Sequence, residues 1–86
     1  MPMVTMRYWA AAKQAAGVAE EAFSAATLEE ALAAARSSRQ SAPEFAKLLA
    51  RSSILVDGEQ AGRQHPSDVA LHDGAIIEIL PPFAGG

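Results

Sequence analysis

Residues 3–9 alternate in character: Val4, Met6 and Tyr8 fall on one face and Thr5, Arg7 and Trp9 on the other. A period of two over a stretch rich in β-branched, aromatic and methionine side chains predicts a half-buried strand. Residues 10–16 are good helix formers stopped by Gly17, which can adopt the left-handed conformation of a helix C-terminus, so one or two helical turns are predicted there. Residues 18–24, acidic and then apolar, predict a second strand antiparallel to the first. Thr27-Leu28-Glu29-Glu30 reads as a capping box, with the Thr27 hydroxyl accepting the Glu30 amide and the Glu30 carboxylate reaching back to the Thr27 amide. Leu28, Ala31, Leu32 and Ala35 then form one apolar stripe, the buried side of a long helix that frays at Ser37-Ser38. Pro43 suits the first turn of a further short helix, with Phe45, Leu48 and Leu49 sharing a face.

Ile54, Leu55 and Val56 make a continuous apolar run closed by Asp57-Gly58, which predicts a central buried strand ending in a turn. Beyond the polar stretch 64–68, Val69 and Leu71 are apolar anchors ahead of a second Asp-Gly turn at Asp73-Gly74. The last strand is expected over residues 75–80. With Glu78 facing water, Ile77 and Ile79 enter the core, and Ile76 and Leu80 point outward beside Glu78. The order strand, strand, long helix, strand, strand requires the helix to cross one face of a mixed sheet to bury its stripe. That is an α+β fold of the β-grasp type, expected over residues 1–80, with a flexible tail over 81–86.

Composition narrows the chemistry. Eighty-six residues, 50% of them hydrophobic, suffice for one small domain. There is no cysteine, which excludes disulfides, thiolate metal sites and a thiol nucleophile, so any sulfur chemistry must use sulfur from elsewhere. A net charge of −3 and seven scattered Lys and Arg leave no basic footprint, and neither nucleic acid nor an anionic membrane is expected as a partner. The first nine residues lack the features of a signal peptide and no apolar stretch is long enough to span a bilayer, so a soluble cytoplasmic protein is expected. No phosphate loop, nucleophile elbow or H-E-x-x-H motif is present. His65 and His72, beside Asp68 and Asp73, offer too few convergent ligands, and no metal is expected.

Pro81 and Pro82 cannot donate ladder hydrogen bonds, so the last strand must stop and the chain must project from the sheet. Phe83, Ala84, Gly85 and Gly86 follow as a thin tail. Two consecutive terminal glycines arise by chance about 1 time in 200. The absence of Cβ atoms on Gly85 and Gly86 would let the terminal carboxylate pass a narrow channel and approach a nucleotide phosphate. Attack of that carboxylate on the α-phosphate of ATP would give an acyl-adenylate, and sulfide or a persulfide could displace AMP to leave a thiocarboxylate.

The strand at 4–9, the segment 10–17, Thr27-Leu28-Glu29-Glu30, Asp73-Gly74 and above all Pro81-Pro82-Phe83-Ala84-Gly85-Gly86 resemble, over essentially the whole chain, the small subunits of molybdopterin synthase, which are ubiquitin-like β-grasp sulfur carriers. Phe83 stands where smaller aliphatic residues are common in that family. The resemblance implies that Gly86 is adenylated by a ubiquitin-activating-type adenylyltransferase. That enzyme uses ATP, and the carrier itself binds no cofactor. It further implies a thiocarboxylate that delivers sulfur to a cyclic pterin precursor on the large synthase subunit, two deliveries making the dithiolene that holds molybdenum. The chain would then be the sulfur-donating subunit of a hetero-oligomeric sulfurtransferase, with no catalytic side chain of its own. A sulfur carrier for thiamine or cysteine synthesis, a protein modifier joined to lysine through Gly86, and a plain interaction module stay open beside it. Arg7 and Trp9 on the first strand, with Ile76 and Leu80 on the last, are expected to form one apolar patch beside the tail, where a partner docks.

Overall fold

A computed structural model describes residues 1–61 and 64–82. It contains β1 (Met3–Tyr8), α1 (Ala11–Ala16), β2 (Glu20–Ser24), α2 (Leu28–Ser37), α3 (Pro43–Arg51), β3 (Ser53–Val56), β4 (Glu59–Gln60), a 3₁₀ turn (Pro66–Asp68) and β5 (Ile76–Leu80). The five strands form one mixed sheet in the order β2-β1-β5-β3-β4. β1 and β5 run parallel at its centre, and the other pairings are antiparallel. This is the ubiquitin-like β-grasp architecture.

Alternation along the two central strands decides which side of the sheet is covered. Val4, Met6 and Tyr8 on β1 and Ile77 and Ile79 on β5 are buried, and they meet Leu28, Ala31, Leu32 and Ala35 of α2 and Phe45 and Leu49 of α3 in a single core. Tyr8 packs edge-to-face on Phe45 with ring centroids 5.7 Å apart, a favoured aromatic geometry. The stripe of small and large residues on α2 therefore does what its spacing predicts.

Local signals hold with instructive shifts. Gly17 closes α1 at φ 82°, its amide donating to the Lys13 carbonyl at 2.9 Å. α1 starts at Ala11 because Ala10 is used in a tight turn, with φ 50° and ψ −126° and the Ala12 amide donating to the Trp9 carbonyl. β2 starts at Glu20, leaving Val18 outside it and 42% exposed. Thr27 Oγ1 accepts the Glu30 amide as expected, but the Glu30 carboxylate takes the Ala26 amide at 2.7 Å in place of that of Thr27.

β3 is a correction. It is neither central nor fully buried, since β5 separates it from β1 and its residues are at most half-buried. Only Ile54 and Val56 lean on the core, while Leu55 shares the open face with Glu78, its register partner. Asp57 and Gly58, at φ 52° and 85°, form a type I′ turn into the two-residue strand β4, which is too short to announce itself in the sequence. Among the described residues no helix is long and apolar enough to cross a membrane.

Candidate functional site

β5 is the strand that carries the chain toward its C-terminus, and it lies between β1 and β3, so whatever follows Leu80 emerges from the middle of the sheet. Pro81 is half-buried and Pro82 exposed. Phe83, Ala84, Gly85 and Gly86, the residues to which the chemistry was assigned, lie outside the described residues. The root of the tail, Leu80 to Pro82, has two flanks.

The first flank is the open face of the sheet. The register pairs Thr5 with Ile76 and Arg7 with Glu78, and Leu55 and Ser53 of β3 stand opposite Glu78 and Leu80. Arg7, Ile76 and Leu80 are half-exposed, and Trp9, just past β1, is 45% exposed. All four residues expected at an interface thus share this face. The patch they form is mixed and not simply apolar, because Glu78 sits among them. Its carboxylate accepts the Trp9 indole N–H at 3.1 Å, and Arg7 Nε donates to Glu20 Oε1 at 3.3 Å. The indole is therefore tied to β5 through Glu78 while Trp9 stays exposed. Glu78 was legible only as a solvent-facing residue; its hold on Trp9 joins positions 69 apart in sequence.

The second flank was not anticipated. Ala10, Ala11 and Gln14 at the start of α1, Leu48 and Arg51 on α3, and Leu80, Pro81 and Pro82 enclose a mostly apolar groove of about 710 Å³. The turn at Ala10 seats α1 beside the end of β5, where the Trp9 amide donates to the Ile79 carbonyl at 3.2 Å.

Behind this region a polar cluster holds α1, α2 and α3 to the sheet. Arg39 pairs with Glu21 at 2.7 Å, donates to the Ala16 and Ala35 carbonyls at 3.1 and 3.3 Å, and lies 4.7 Å from the Phe45 ring centroid. The Tyr8 hydroxyl donates to the same Glu21 carboxylate. Burial, and then the hydrogen bond and charge of Glu21, push the Tyr8 hydroxyl far above the ordinary phenol range, so it stays protonated as a donor.

The histidines lie elsewhere. His72 Nε2 is 2.7 Å from Asp57 Oδ2, its Nδ1 is 2.8 Å from the Asp73 carbonyl, and Asp57 Oδ1 accepts the Ile76 amide at 3.0 Å. His65 caps the 3₁₀ turn through Ser67. Among the described residues no three His, Cys, Asp or Glu side chains come together as a metal site.

Comparison with known proteins adds two findings. The sequence model of the ThiS family matches residues 6–86. In structure, the chain is similar to small archaeal modifier protein 1 of Methanosarcina acetivorans, with TM-score 0.81, 22% identity and coverage of 100% of this chain and 98% of that one. It is also similar to small archaeal modifier protein 1 of Haloferax volcanii, with TM-score 0.77, 20% identity and coverage of 98% and 99%. A third likeness is to a chain in the complex of subunits 1 and 2 of the molybdopterin-converting factor of Helicobacter pylori, with TM-score 0.67, 24% identity and coverage of 98% and 99%. At these identities the likeness establishes the fold alone. No curated protein matches the sequence.

Proposed function

This chain belongs to the ThiS family, and from that premise we propose that it is a sulfur carrier, the small subunit of a molybdopterin synthase, whose working group is the carboxylate of Gly86. The observation that carries the proposal is the family match running through residue 86, on a chain whose strand β5 ends at Leu80, directly before Pro81-Pro82. The labour divides between a β-grasp body over 1–80 and a tail over 81–86.

The chemistry balances without any side chain of the carrier. A carboxylate oxygen of Gly86 attacks the α-phosphorus of ATP in the active site of a ubiquitin-activating-type adenylyltransferase, and pyrophosphate leaves. Hydrosulfide, or the terminal sulfur of a persulfide later freed by a second thiol, then attacks the acyl carbon and AMP departs, leaving a thiocarboxylate. Its sulfur attacks a carbon of the pterin precursor on the large subunit, an oxygen substituent leaves that carbon, and water cleaves the resulting thioester to free the sulfur on the pterin and restore the Gly86 carboxylate. Two such cycles supply the two dithiolene sulfurs. The carrier's contribution is reach and shape: a slender tail and a body that docks. As such a carrier it works in the cytoplasm and alternates between two protein partners. The complex of subunits 1 and 2 in the Helicobacter pylori structure is in keeping with the second of them.

Intact-mass spectrometry after incubation with ATP, the adenylyltransferase from the same genome and a sulfide source tests this. The full-length protein should gain the mass of sulfur in place of one oxygen, and a variant lacking Gly86 should not change. If an adenylyltransferase active on an established carrier leaves the full-length protein unaltered, the proposal fails. High-mass conjugates that vanish on deletion of Gly86 would establish a protein modifier, and transfer to a thiamine or cysteine acceptor would relocate the pathway.

A further inference from the structure

The groove between α1 and α3 shares Leu80 with the open face of the sheet but is otherwise lined by different residues, and its position and charge specify an occupant. One wall is the root of the tail itself, Leu80 to Pro82. A protein that draws the residues beyond Pro82 into its active site must lie over that wall, and Leu80 belongs to both the groove and the open face of the sheet. The floor is mostly carbon, from Ala10, Ala11 and Leu48.

The one charged side chain lining the groove is a cation, on a chain of net charge −3. Arg51 lines the groove, and Lys13 lines the adjoining hollow, which shares Ala10 and Gln14 with it. Arg7, Arg39 and Lys47 are each tied to a carboxylate, whereas among the described residues neither Arg51 nor Lys13 has an acidic partner. Unneutralised cations beside an apolar floor complement carboxylates beside an apolar side chain.

We infer that this groove is a second docking site for the adenylyltransferase that takes the tail, and that it receives from that enzyme an apolar side chain flanked by Asp or Glu. The inference rests on the sulfur-carrier reading above and adds a contact surface to it. Seating the partner on both flanks of the tail's root would fix the direction in which the tail enters the active site, which one flank alone would not.

The test is saturation kinetics of ATP–pyrophosphate exchange by the adenylyltransferase from the same genome, with the carrier as the varied substrate. Arg51→Glu reverses the rim charge, and Ala11→Glu places a carboxylate on the exposed start of α1, where an acidic residue favours the helix. Arg36→Glu is the control: it makes the same charge change at a cation that, among the described residues, also has no acidic partner but lines the hollow between α2 and α3. Arg51→Glu and Ala11→Glu should raise the half-saturating carrier concentration about tenfold at low salt with kcat unchanged, the difference shrinking as salt rises. Arg36→Glu should stay within about twofold of the parent, with thermal melts showing all three folded. Half-saturation unchanged in Arg51→Glu and Ala11→Glu, or raised equally in Arg36→Glu, overturns the groove while leaving the carrier reading intact. Failure of the parent chain itself to support exchange, with an enzyme active on an established carrier, overturns both.

Discussion

Ala10 holds a backbone conformation, φ 50° and ψ −126°, that glycine adopts at no steric cost. With the Ala12 amide donating to the Trp9 carbonyl it occupies the first central position of a type II′ turn. Strain of this kind costs about 1–3 kcal/mol, against about 0.5–1 kcal/mol for the extra entropy glycine loses on folding. Ala10→Gly is therefore expected to stabilise the fold by about 1 kcal/mol, seen as a higher Tm; a lower Tm would show that the turn's contacts relieve the strain. His72 and Asp57 bear on pH. The hydrogen bond to Asp57, and then that to the Asp73 carbonyl, raise His72 above its ordinary 6.5, while the Ile76 amide, and then His72, lower Asp57 below 3.8. A raised histidine contributes stability fully below 6.5 and loses it as pH climbs through the folded value. A lowered aspartate contributes above 3.8 and loses it as pH falls through its own folded value. The pair thus supports the turn from mildly acid pH up to somewhat above 6.5. The gap in Tm between the parent and His72→Gln should be widest near about pH 5 and close in mild alkali, and a gap independent of pH would mean the ion pair contributes nothing.

Between elements, Arg39 does what no run of sequence announces. Lying just beyond α2, it satisfies the end carbonyls of α1 and α2, neutralises Glu21 on β2 and covers the Phe45 ring on α3. Its side chain is 12% exposed and that of Glu21 23%, so the loss of one partner strands a charge that water reaches only in part. Arg39→Met is expected to cost about 2 kcal/mol in urea denaturation, below the range for fully buried pairs because of that partial exposure. Amide exchange in α1 should quicken, since α1 would lose a tie to the rest of the molecule; unchanged exchange would show that α1 is held by packing alone. The same scale separates what was readable from what was not. The stripe of α2 and the strand faces follow periods of 3.6 and 2, so each is written in neighbouring residues. Arg39 reads in isolation as one more surface cation, and β4 is two residues long.

For the whole molecule, the placement of β5 between β1 and β3 brings Trp9 and Leu80 together beside the outgoing chain. Trp9→Ala removes an exposed ring and its bond to Glu78, and Leu80→Asp adds a second carboxylate next to Glu78 on the open face. Each is expected to weaken binding of the large subunit or the adenylyltransferase by about tenfold or more in titration calorimetry, with the fold retained. Equal affinities in parent and variants would remove the open face from the interface. Because Leu80 also lines the groove between α1 and α3, its substitution should be felt on both flanks, whereas that of Trp9 should be felt on one.

The sequence by itself determined β1, α2 and β5 and the faces they bury, the position of α1's stop at Gly17 and the point at which the last strand must end, because capping, periodicity and proline act over a few residues. It also yields the expectation that chemistry concentrates in residues 81–86, since no side-chain motif elsewhere in the sequence suggests it. Tertiary structure decided which strand is central, that Glu78 holds the Trp9 indole on the open face, that Glu21, Arg39 and Tyr8 share one polar cluster, and that α1 and α3 leave a groove beside the outgoing chain. Each of these depends on residues far apart in sequence meeting through strand register or helix packing, and nothing in the local pattern of any one segment encodes its partner.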